Sequence, residues 1–399
     1  MNPVKKFFKL KDIDVKNKRV LVRVDFNVPL DSRGEITDDT RIKAALPTIK
    51  YLIKNNAMVI LISHLGRPKG EIEEKLKMDN VAKRLEKLLK RKVYKLDDCV
   101  GEDIEEFVDR MVDREVVLLE NLRFYEEEEK NDTDFAQSLA DLADIYVNDA
   151  FGTCHRAHAS VESVTRYLPS AAGFLVEKEI ENLSKALEKP KKPFIAIIGG
   201  VKVSDKINLI KGLLKKVDCL LIGGAMMFTF CKSKGLETGR SIVEEDKLDL
   251  AKGMLKNKKI ILPTDTIAAD KIDKNARIKT VKVEKIPKGM IGIDIGPETT
   301  KNYKRLIAKA KTIVWNGPMG VFEIPKFAKG TNEIAKAISR NTKAVSIIGG
   351  GDSASAVAKL KLESRITHIS TGGGASLEFL EGKKLPGIKA LELNYKRFR

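Results

Sequence analysis

At 399 residues the chain is too long for one ordinary hydrophobic core, and we expect about two domains. A composition of 43% hydrophobic and 33% charged residues excludes a disordered chain, and no run approaches the roughly 18 apolar residues of a membrane-spanning helix. The formal net charge of +18 suggests a nucleic-acid partner, but the lysines are spread along helical stretches and mix with glutamates, so we expect none.

The N-terminal segment and the cysteines indicate a cytoplasmic location. The segment MNPVKKFFKLKDIDV has no apolar core long enough for a signal peptide. The cysteines are scattered and show no metal-binding spacing: Cys99, Cys154, Cys219 and Cys231. We therefore expect a reducing, cytoplasmic setting and no membrane partner.

The first half alternates short apolar strands with helical segments, which favours a parallel, doubly wound sheet. We predict strands over 19–25, 58–63, 92–96, 116–119 and 145–147, and helices over 40–55, 79–89 and 132–142. Ligands of such sheets bind beyond the carboxyl ends of the strands. The segments that follow the strands are therefore the candidates for a site.

Basic side chains follow four of these strands, in RVDFNVPL with the nearby DDTRIKAALP, in SHLGRP, in ENLRF and in NDAFGTCHRAHAS. Several cations in one crevice would repel one another unless a polyanion filled it, so the pattern predicts a site for a small, multiply charged acid or phosphate. A single arginine of this kind is usually only a surface residue, and His158 more plausibly bonds buried backbone groups. The residues concerned are Arg41, His64, Arg67, Arg123, His155, Arg156 and His158.

Two further features of this region, the histidines and an acidic segment, do not indicate a catalytic site. A zinc site fails, because no cysteine or carboxylate joins the histidines at ligand spacing. The acidic run 126–129 indicates a solvated helix start.

Residues 177–188 have the pattern of an amphipathic helix, closed by Pro190 and Pro193. We interpret this helix as the connector between two domains. A peripheral helix of the first domain is the alternative.

The second half repeats a strand, a glycine turn and a helix start. The segments are FIAIIGG, CLLIGGAMMFTF, IGIDIGPET, TIVWNGPMGVFE, VSIIGGGDSASAVA and ITHISTGGGASLEFL. Glycines let a phosphate approach the backbone, and helix N-termini point N–H groups at it, so these turns on one sheet edge predict a nucleotide site. Asp352 is placed to hold magnesium against phosphate oxygens, although a tight turn with Asp352 or Ser353 as an ordinary N-cap is the alternative. Met226, Met227 and Phe228 are predicted to be core rather than adenine-binding, and the alternative is that their turn lines the base pocket.

Together these segments resemble the phosphoglycerate kinase family, block by block and in its order, over nearly the whole chain. The resemblance rests on RVDFNVPL, SHLGRP, LLENLRF, NDAFGTCHRAH, IGGVKVSDKI, DIGPET, WNGPMGVFE, IIGGGDS and STGGGASLEFLEGKKLPG. It implies two doubly wound parallel-sheet (Rossmann-like) α/β domains, joined by a connecting helix and with a cleft between them. Residues 1–172 with 388–399 would bind 3-phosphoglycerate or 1,3-bisphosphoglycerate, residues 173–190 would form the connector, and residues 191–387 would bind Mg-ADP or Mg-ATP.

The resemblance also implies site residues by position. The triose-acid site would comprise Asp25, Phe26, Asn27, Arg41, His64, Leu65, Gly66, Arg67, Arg123 and Arg156. The nucleotide site would comprise Lys206, Gly292, Glu323, Gly350, Gly351, Asp352 and Ser353, with Asp352 as the magnesium ligand and Glu323 at the ribose hydroxyls. Arg41 and Lys202 would stabilise the transition state, together with the helix N-terminus at Gly373 and Gly374.

The implied reaction is a magnesium-dependent phosphoryl transfer between 1,3-bisphosphoglycerate and ADP. It needs no general base and no covalent intermediate, which agrees with the absence of an obvious catalytic aspartate in the first half. Closure of the cleft would complete the site and exclude water. We expect a monomer that acts on small molecules.

Two rival classes stay open. One is another acyl-phosphate or small-acid kinase on a similar plan, which a substrate panel would separate. The other is a non-enzymatic nucleotide- or nucleic-acid-binding protein that kept the fold. Intact Arg41, Lys202 and Asp352 argue against the second class, because binding alone would not require all three.

Overall fold

A computed structural model of the chain describes residues 6–399, and their contacts divide them into two units. The N-terminal unit contains residues 6–181 together with 384–399, and the C-terminal unit contains residues 182–383. Residues 1–5, which belong to the predicted first domain, lie outside the described residues. Each unit is an α/β structure built on a parallel sheet, as the sequence predicts.

The N-terminal unit contains a seven-stranded sheet in which every neighbouring pair is parallel. Its order is β1-β7-β6-β2-β3-β5-β4. The predicted strands are present and begin within two residues of their predicted starts. The strands are β1 (Phe8–Lys9), β2 (Arg19–Val24), β3 (Met58–Ile62), β4 (Tyr94–Lys95), β5 (Val116–Leu118), β6 (Ile145–Asp149) and β7 (Ser170–Ala172).

Helices cover both faces of this sheet, because alternate residues of each strand point to opposite faces. Val20 and Val22 pack with Ile49 on one face, while Leu21 packs with Leu139 on the other. Asp132 caps one helix by accepting the N–H groups of the second and third residues after it. The helices are α1 (Thr40–Lys54), α2 (Asp79–Leu89), α3 (Glu102–Asp109), α4 (Glu126–Lys130), α5 (Thr133–Asp141) and α6 (Phe174–Glu188).

The C-terminal unit contains a six-stranded parallel sheet, in the order β10-β9-β8-β14-β15-β16, and a separate three-stranded antiparallel sheet, in the order β12-β11-β13. The expectation that all the glycine turns lie on one sheet edge is therefore wrong for IGIDIGPET, whose strand β13 belongs to the smaller sheet. The strands are β8 (Phe194–Ile198), β9 (Cys219–Ile222), β10 (Ile260–Ile261), β11 (Asp265–Ala269), β12 (Ile278–Lys282), β13 (Ile291–Ile295), β14 (Thr312–Asn316), β15 (Val345–Gly349) and β16 (His368–Ile369).

The last helix returns to the first unit. Asn394 accepts a hydrogen bond from the backbone N–H of Ser170 at 2.9 Å and donates to the carbonyls of Thr165 and Leu168 at 2.6 and 2.8 Å. The helices of the second half are α7 (Ile207–Leu214), α8 (Met226–Ser233), α9 (Leu248–Met254), α10 (Pro297–Lys309), α11 (Lys329–Arg340), α12 (Gly351–Lys359), α13 (Gly374–Glu381) and α14 (Pro386–Phe398).

Helix α6 covers the predicted connector, and the division between the units falls inside it, between residues 181 and 182. The functional domain boundaries at 172, 190 and 387 stay a prediction. Across residues 6–399, no helix is both long and apolar enough to cross a membrane.

Candidate functional site

In the N-terminal unit, the residues after β2 meet the start of α1. Asp25 follows the strand directly, and its Oδ2 accepts a hydrogen bond from Nη1 of Arg41 at 2.7 Å. The Arg41 side chain is 37% exposed and the Asp25 side chain 13% exposed. The ion pair therefore fixes one edge of the Arg41 guanidinium and leaves other donors open to a ligand.

The loops after β2 and β3 are joined by side chain–backbone hydrogen bonds. Asn27 Oδ1 accepts the N–H of Gly66 at 2.9 Å, and Ser63 Oγ accepts the N–H of Phe26 at 2.9 Å. Gly66 has a φ of +67°, a left-handed conformation that glycine adopts at little cost. Phe26 and Leu65 are buried, and the N–H of Leu65 donates to Oδ1 of Asn121 at 3.1 Å, so both residues shape the loops rather than offer a free donor.

Arg123 and Arg156 extend this group of cations. Arg123 is 5% exposed and donates from Nη1 to the carbonyl of Gly66 at 2.7 Å. Its Nε lies 3.2 Å from Oε1 of Glu129, and Nη1 of Arg156 lies 3.8 Å from the same oxygen. Burial lowers the pKa of Arg123, and Glu129 opposes that shift. One carboxylate thus serves two guanidinium groups.

The exposed Arg67 has no hydrogen bond or ion pair within the part of the chain that the structure describes. Within residues 6–399, the four arginines form ion pairs with two carboxylates, those of Asp25 and Glu129; the arginines are Arg41, Arg67, Arg123 and Arg156. The cluster is therefore short of negative charge, as a binding site for an anion should be.

His64, predicted as a site residue, is buried with 4% of its surface exposed. Its Nδ1 lies 3.2 Å from Nη2 of Arg23. Burial holds the pKa of His64 well below its ordinary value, and the positive charges of Arg23, Arg123 and Arg41 act in the same direction. His64 is therefore uncharged at neutral pH.

The expectation that residues 126–129 form a solvated helix start is wrong for Glu128, which is completely buried. Its carboxylate accepts the N–H and the hydroxyl of Ser160, at 2.9 and 2.7 Å. It also lies 3.8 Å from Nη2 of Arg23 and 3.6 Å from Nδ1 of His158. Sequence reasoning missed both Arg23 and Glu128, although an arginine inside an otherwise apolar strand was a signal for a buried partner.

In the C-terminal unit, glycine turns end four neighbouring parallel strands. Gly200, Gly224, Gly317 and Gly350 follow β8, β9, β14 and β15, and all have φ between +66° and +113°. A Cβ on Gly224 would lie 2.4 Å from the nitrogen of Gly200, so backbone packs directly on backbone here. The N–H groups of Gly200 and Gly224 donate to the carbonyls of Pro318 and Met319, so these glycines serve the close packing of the turns. The donors that remain for a phosphate are those of the helix starts that follow the turns.

Asn316 joins two of these turns to a lysine. Its Oδ1 accepts a hydrogen bond from Nζ of Lys206 at 2.5 Å, and its Nδ2 donates to the carbonyl of Gly349 at 2.8 Å. Burial lowers the pKa of Lys206, whereas Asp205 and Asp352 raise it. The predicted Lys206 and the GGDS turn are thus brought together.

The start of α12 decides between two interpretations of that turn. The helix begins at Gly351, its N-cap residue is Gly350, and no side chain caps it. Ser353 Oγ instead accepts the N–H of Gly317 at 2.7 Å. The ordinary N-cap alternative for Asp352 or Ser353 is therefore excluded, and the first N–H groups of the helix stay available.

The turn before α12 can hold magnesium only together with ligands from a bound substrate. Asp352 is exposed, and residues 6–399 contain no group of three or more His, Cys, Asp or Glu side chains that could hold a metal. Magnesium is commonly bound by one or two carboxylates together with substrate phosphates. A single exposed carboxylate beside an uncapped helix start is compatible with that mode of binding.

The remaining predicted residues differ in their surroundings. Lys202 and Glu323 are exposed and form no ion pair with any described residue. Gly373 precedes α13 with a φ of +50°, and no atom lies within 4 Å of the position a Cβ would take. Gly292 packs against Phe228, whose Cζ would lie 2.0 Å from a Cβ.

Two further observations concern side chains near these residues. Met226, Met227 and Phe228 are at most 1% exposed, so the prediction that they are core is confirmed. Sequence reasoning missed Glu244, whose Oε2 accepts the N–H of Val203 at 2.5 Å and thereby fixes the residue after Lys202.

Comparisons with known proteins agree on one family. The family model for phosphoglycerate kinase matches residues 10–383. The phosphoglycerate kinase of Dictyoglomus turgidum is 58% identical over 388 residues, which are 96% of this chain and 98% of that protein. The phosphoglycerate kinase of Moorella thermoacetica is 56% identical over 387 residues, which are 96% of this chain and 98% of that protein.

Solved structures show the same similarity. The structure of phosphoglycerate kinase from Coxiella burnetii matches with a TM-score of 0.89 and 42% identity, covering 98% of this chain and all of that one. The enzyme from Pyrococcus horikoshii OT3 matches with a TM-score of 0.88 and 36% identity, covering 98% of this chain.

Proposed function

Because the chain belongs to the phosphoglycerate kinase family, we propose how its two units divide the work of that enzyme. The reaction is a reversible step of glycolysis, in which a phosphoryl group passes between 1,3-bisphosphoglycerate and ADP to give 3-phosphoglycerate and ATP. The chain is thus a transferase whose acceptor, in one direction, is a carboxyl group.

The basic cluster of the N-terminal unit binds the triose acid. The observation that carries this assignment is the imbalance of charge, since within residues 6–399 the four arginines form ion pairs with two carboxylates, those of Asp25 and Glu129. Guanidinium groups bind carboxylate and phosphate through paired hydrogen bonds, and 3-phosphoglycerate offers both groups. Arg41 and Arg123 are the best positioned, because the fold already fixes part of each side chain.

The glycine turns of the C-terminal unit bind ADP or ATP. The uncapped N-terminus of α12 and the half-buried amine of Lys206 present donors to the phosphates. Asp352 would hold magnesium together with the nucleotide phosphates, and the ion would neutralise charge on the transferring group. Glu323 is proposed for the ribose hydroxyls and Gly292 for the wall of the nucleotide site.

Enzymatic phosphoryl transfer depends on positioning the two substrates and on neutralising the charge of the transferring phosphoryl group. We assign the neutralising charges to Arg41 and Lys202 and to the helix N-terminus at Gly373 and Gly374. Neither cation needs to gain or lose a proton, so no general base and no covalent intermediate are involved. Closure of a cleft between the two domains stays a prediction from the resemblance.

The test is ATP formation from 1,3-bisphosphoglycerate and ADP, followed in a coupled assay with and without magnesium. We expect turnover that requires magnesium. Folded protein that binds Mg-ADP but shows no turnover would contradict the triose-acid assignment, and a panel of acyl phosphates would then identify the substrate.

A cytoplasmic location and a monomeric state complete the proposal. All four cysteines are free, and Cys99, Cys154 and Cys231 are buried, as suits a reducing compartment. Fractionation of cells and light scattering of the purified chain test these two statements.

A further inference from the structure

The innermost part of the basic cluster is a chain of hydrogen bonds that runs from Glu128 to His64. Nε of Arg23 lies 2.7 Å from Oγ of Ser160, which lies 2.7 Å from Oε1 of Glu128. A guanidinium group can only donate, and an ionised carboxylate can only accept. The Ser160 hydroxyl must therefore accept from Arg23 and donate to Glu128.

The groups around Glu128 keep its carboxylate ionised in the interior. Burial alone would raise the pKa of Glu128, but His158, Arg23 and Ser160 together hold it below its ordinary value. The side chains of Arg23 and Glu128 are 1% and 0% exposed, so each is the counter-charge that the other requires in the interior. Arg23 also donates from Nη1 to the carbonyl of Val24 at 2.5 Å, which fixes the plane of its guanidinium.

The same reasoning determines the tautomer of His64. Nη2 of Arg23 lies 3.2 Å from Nδ1 of His64 and can only donate, so Nδ1 must accept and carries no proton. The ring proton is then on Nε2. A doubly protonated His64 would direct an N–H group at the N–H of Arg23.

The other charged and titratable groups that act on His64 oppose its protonation as well. They come from three different parts of the unit: Arg41 on α1, Arg123 after β5, and His158 after β6. Nε2 of His64 has no hydrogen bond among residues 6–399, so it is free to donate to a ligand.

We propose that Glu128 and Ser160 are positioning residues that hold Arg23, and that Arg23 fixes His64 as a neutral Nε2–H donor to an oxygen of the triose acid. The chain of hydrogen bonds stands on the structure alone, and only the identity of the ligand rests on the proposed function. A neutral donor binds an oxyanion with the same strength across the pH range in which a free imidazole would change its charge.

The first experiment is a long-range ¹H–¹⁵N spectrum of the full-length, ligand-free protein labelled with ¹⁵N-histidine. The chain has four histidines, and His64→Gln identifies the signals of His64 by their loss. We expect an unprotonated, pyridine-type Nδ1 and a protonated, pyrrole-type Nε2, both unchanged between about pH 5.5 and 8.5. A His64 ring that titrates in this range, or that carries its proton on Nδ1, would overturn the proposal.

The second experiment removes Arg23 and its counter-charge together, as Arg23→Met with Glu128→Gln. Removing both avoids an unpaired buried charge. We expect the His64 ring to populate both tautomers, because no guanidinium then donates to Nδ1, while burial still keeps the ring uncharged. The KM for 3-phosphoglycerate should rise roughly tenfold while the KM for ATP stays constant. Glu127→Gln, on the exposed side of the same helix, is the matched control and should change none of these.

Unchanged His64 signals in the double variant would show that Arg23 does not set the tautomer. The first spectrum is recorded without substrate, so its outcome is independent of the coupled assay. An absence of turnover in the coupled assay would contradict the proposed function but not the Nε2–H tautomer of His64. A His64 ring protonated on Nδ1 would contradict the tautomer but not the assignment as an enzyme.

Discussion

The cations of the two candidate sites differ in how firmly the fold holds them. Arg123 is 5% exposed and donates to the carbonyl of Gly66, whereas Lys202 is exposed and has no ion pair within residues 6–399. A fixed guanidinium suits the recognition of a bound acid, and an ammonium without an ion-pair partner among the described residues keeps its charge available to the transferring group. The two residues should therefore affect different kinetic constants.

Arg123→Ala should raise the KM for 3-phosphoglycerate by roughly tenfold or more, because it removes a charge-assisted hydrogen-bond donor from the acid site. The KM for ATP should stay nearly constant. Steady-state kinetics with each substrate varied in turn measure both constants. Arg110→Ala, at the end of α3 and exposed, is the control. A loss of ATP affinity instead would mean that the roles of the two units are reversed.

Lys202→Ala should lower kcat by about two to three orders of magnitude with a smaller effect on either KM, as the loss of a transition-state donor does. Saturating kinetics of the variant measure the effect, and Lys211→Ala on the exposed face of α7 serves as the control. If kcat is unchanged, Lys202 takes no part in the transfer step.

At the scale of helices and strands, the elements that the sequence predicted correctly are those determined by a local sequence pattern. Helix α2 spans residues 79–89 as predicted, and the glycine turn before α12 is the predicted one, because caps, glycines and apolar periodicity act over a few residues. The separate sheet of β11, β12 and β13 escaped prediction, since β12 is mostly exposed and has no apolar alternation that points to a core. Glu128 escaped for a different reason, because a run of four glutamates resembles a solvated face until Arg23 is brought against it.

Gly292, which we propose for the wall of the nucleotide site, packs against the ring of Phe228. Gly292→Ala should lower the free energy of unfolding by about 1–3 kcal/mol, because its Cβ would lie 2.0 Å from Cζ of Phe228. Adding Phe228→Leu should restore part of that loss. Urea denaturation measures both changes, and Gly289→Ala is the control, since no atom lies within 4 Å of its Cβ position. An undiminished stability of Gly292→Ala would contradict the packing role.

At the scale of the whole molecule, helix α6 contributes residues to both units, and its first turn is bonded to the buried carboxyl group of Asp149. Asp149 Oδ1 accepts the N–H of Leu175 at 2.8 Å, and a Cβ on Gly173 would lie 2.2 Å from the same oxygen. Burial raises the pKa of Asp149 to about 7, although bonds from Thr48 and the backbone oppose the shift. The start of α6 is therefore coupled to pH.

The sign of this coupling follows from proton uptake. The folded chain binds a proton at Asp149 that the unfolded chain has lost above its ordinary pKa of 3.8, so stability falls as pH rises from about 4 to 7. The contribution is of the order of 4 kcal/mol at most. In Asp149→Asn, the urea midpoint should fall less steeply over this range than in the parent chain, while the exposed Asp141→Asn should keep the parental slope. Equal slopes for Asp149→Asn and the parent would show that Asp149 is ionised throughout.

The return of α14 to the N-terminal unit has a consequence for synthesis on the ribosome. Tyr395 packs on Phe8 with ring centroids 4.7 Å apart, and the N–H of Gly387 is bonded to the carbonyl of Cys154. The unit that emerges first is thus completed last, after the whole segment 182–383 has been translated. At about 5–20 residues per second, the edge near β1 and β7 waits roughly 10–40 s for its covering helix. The C-terminal unit, which is continuous in sequence, needs no later segment and can complete its own core as soon as residue 383 has left the ribosome.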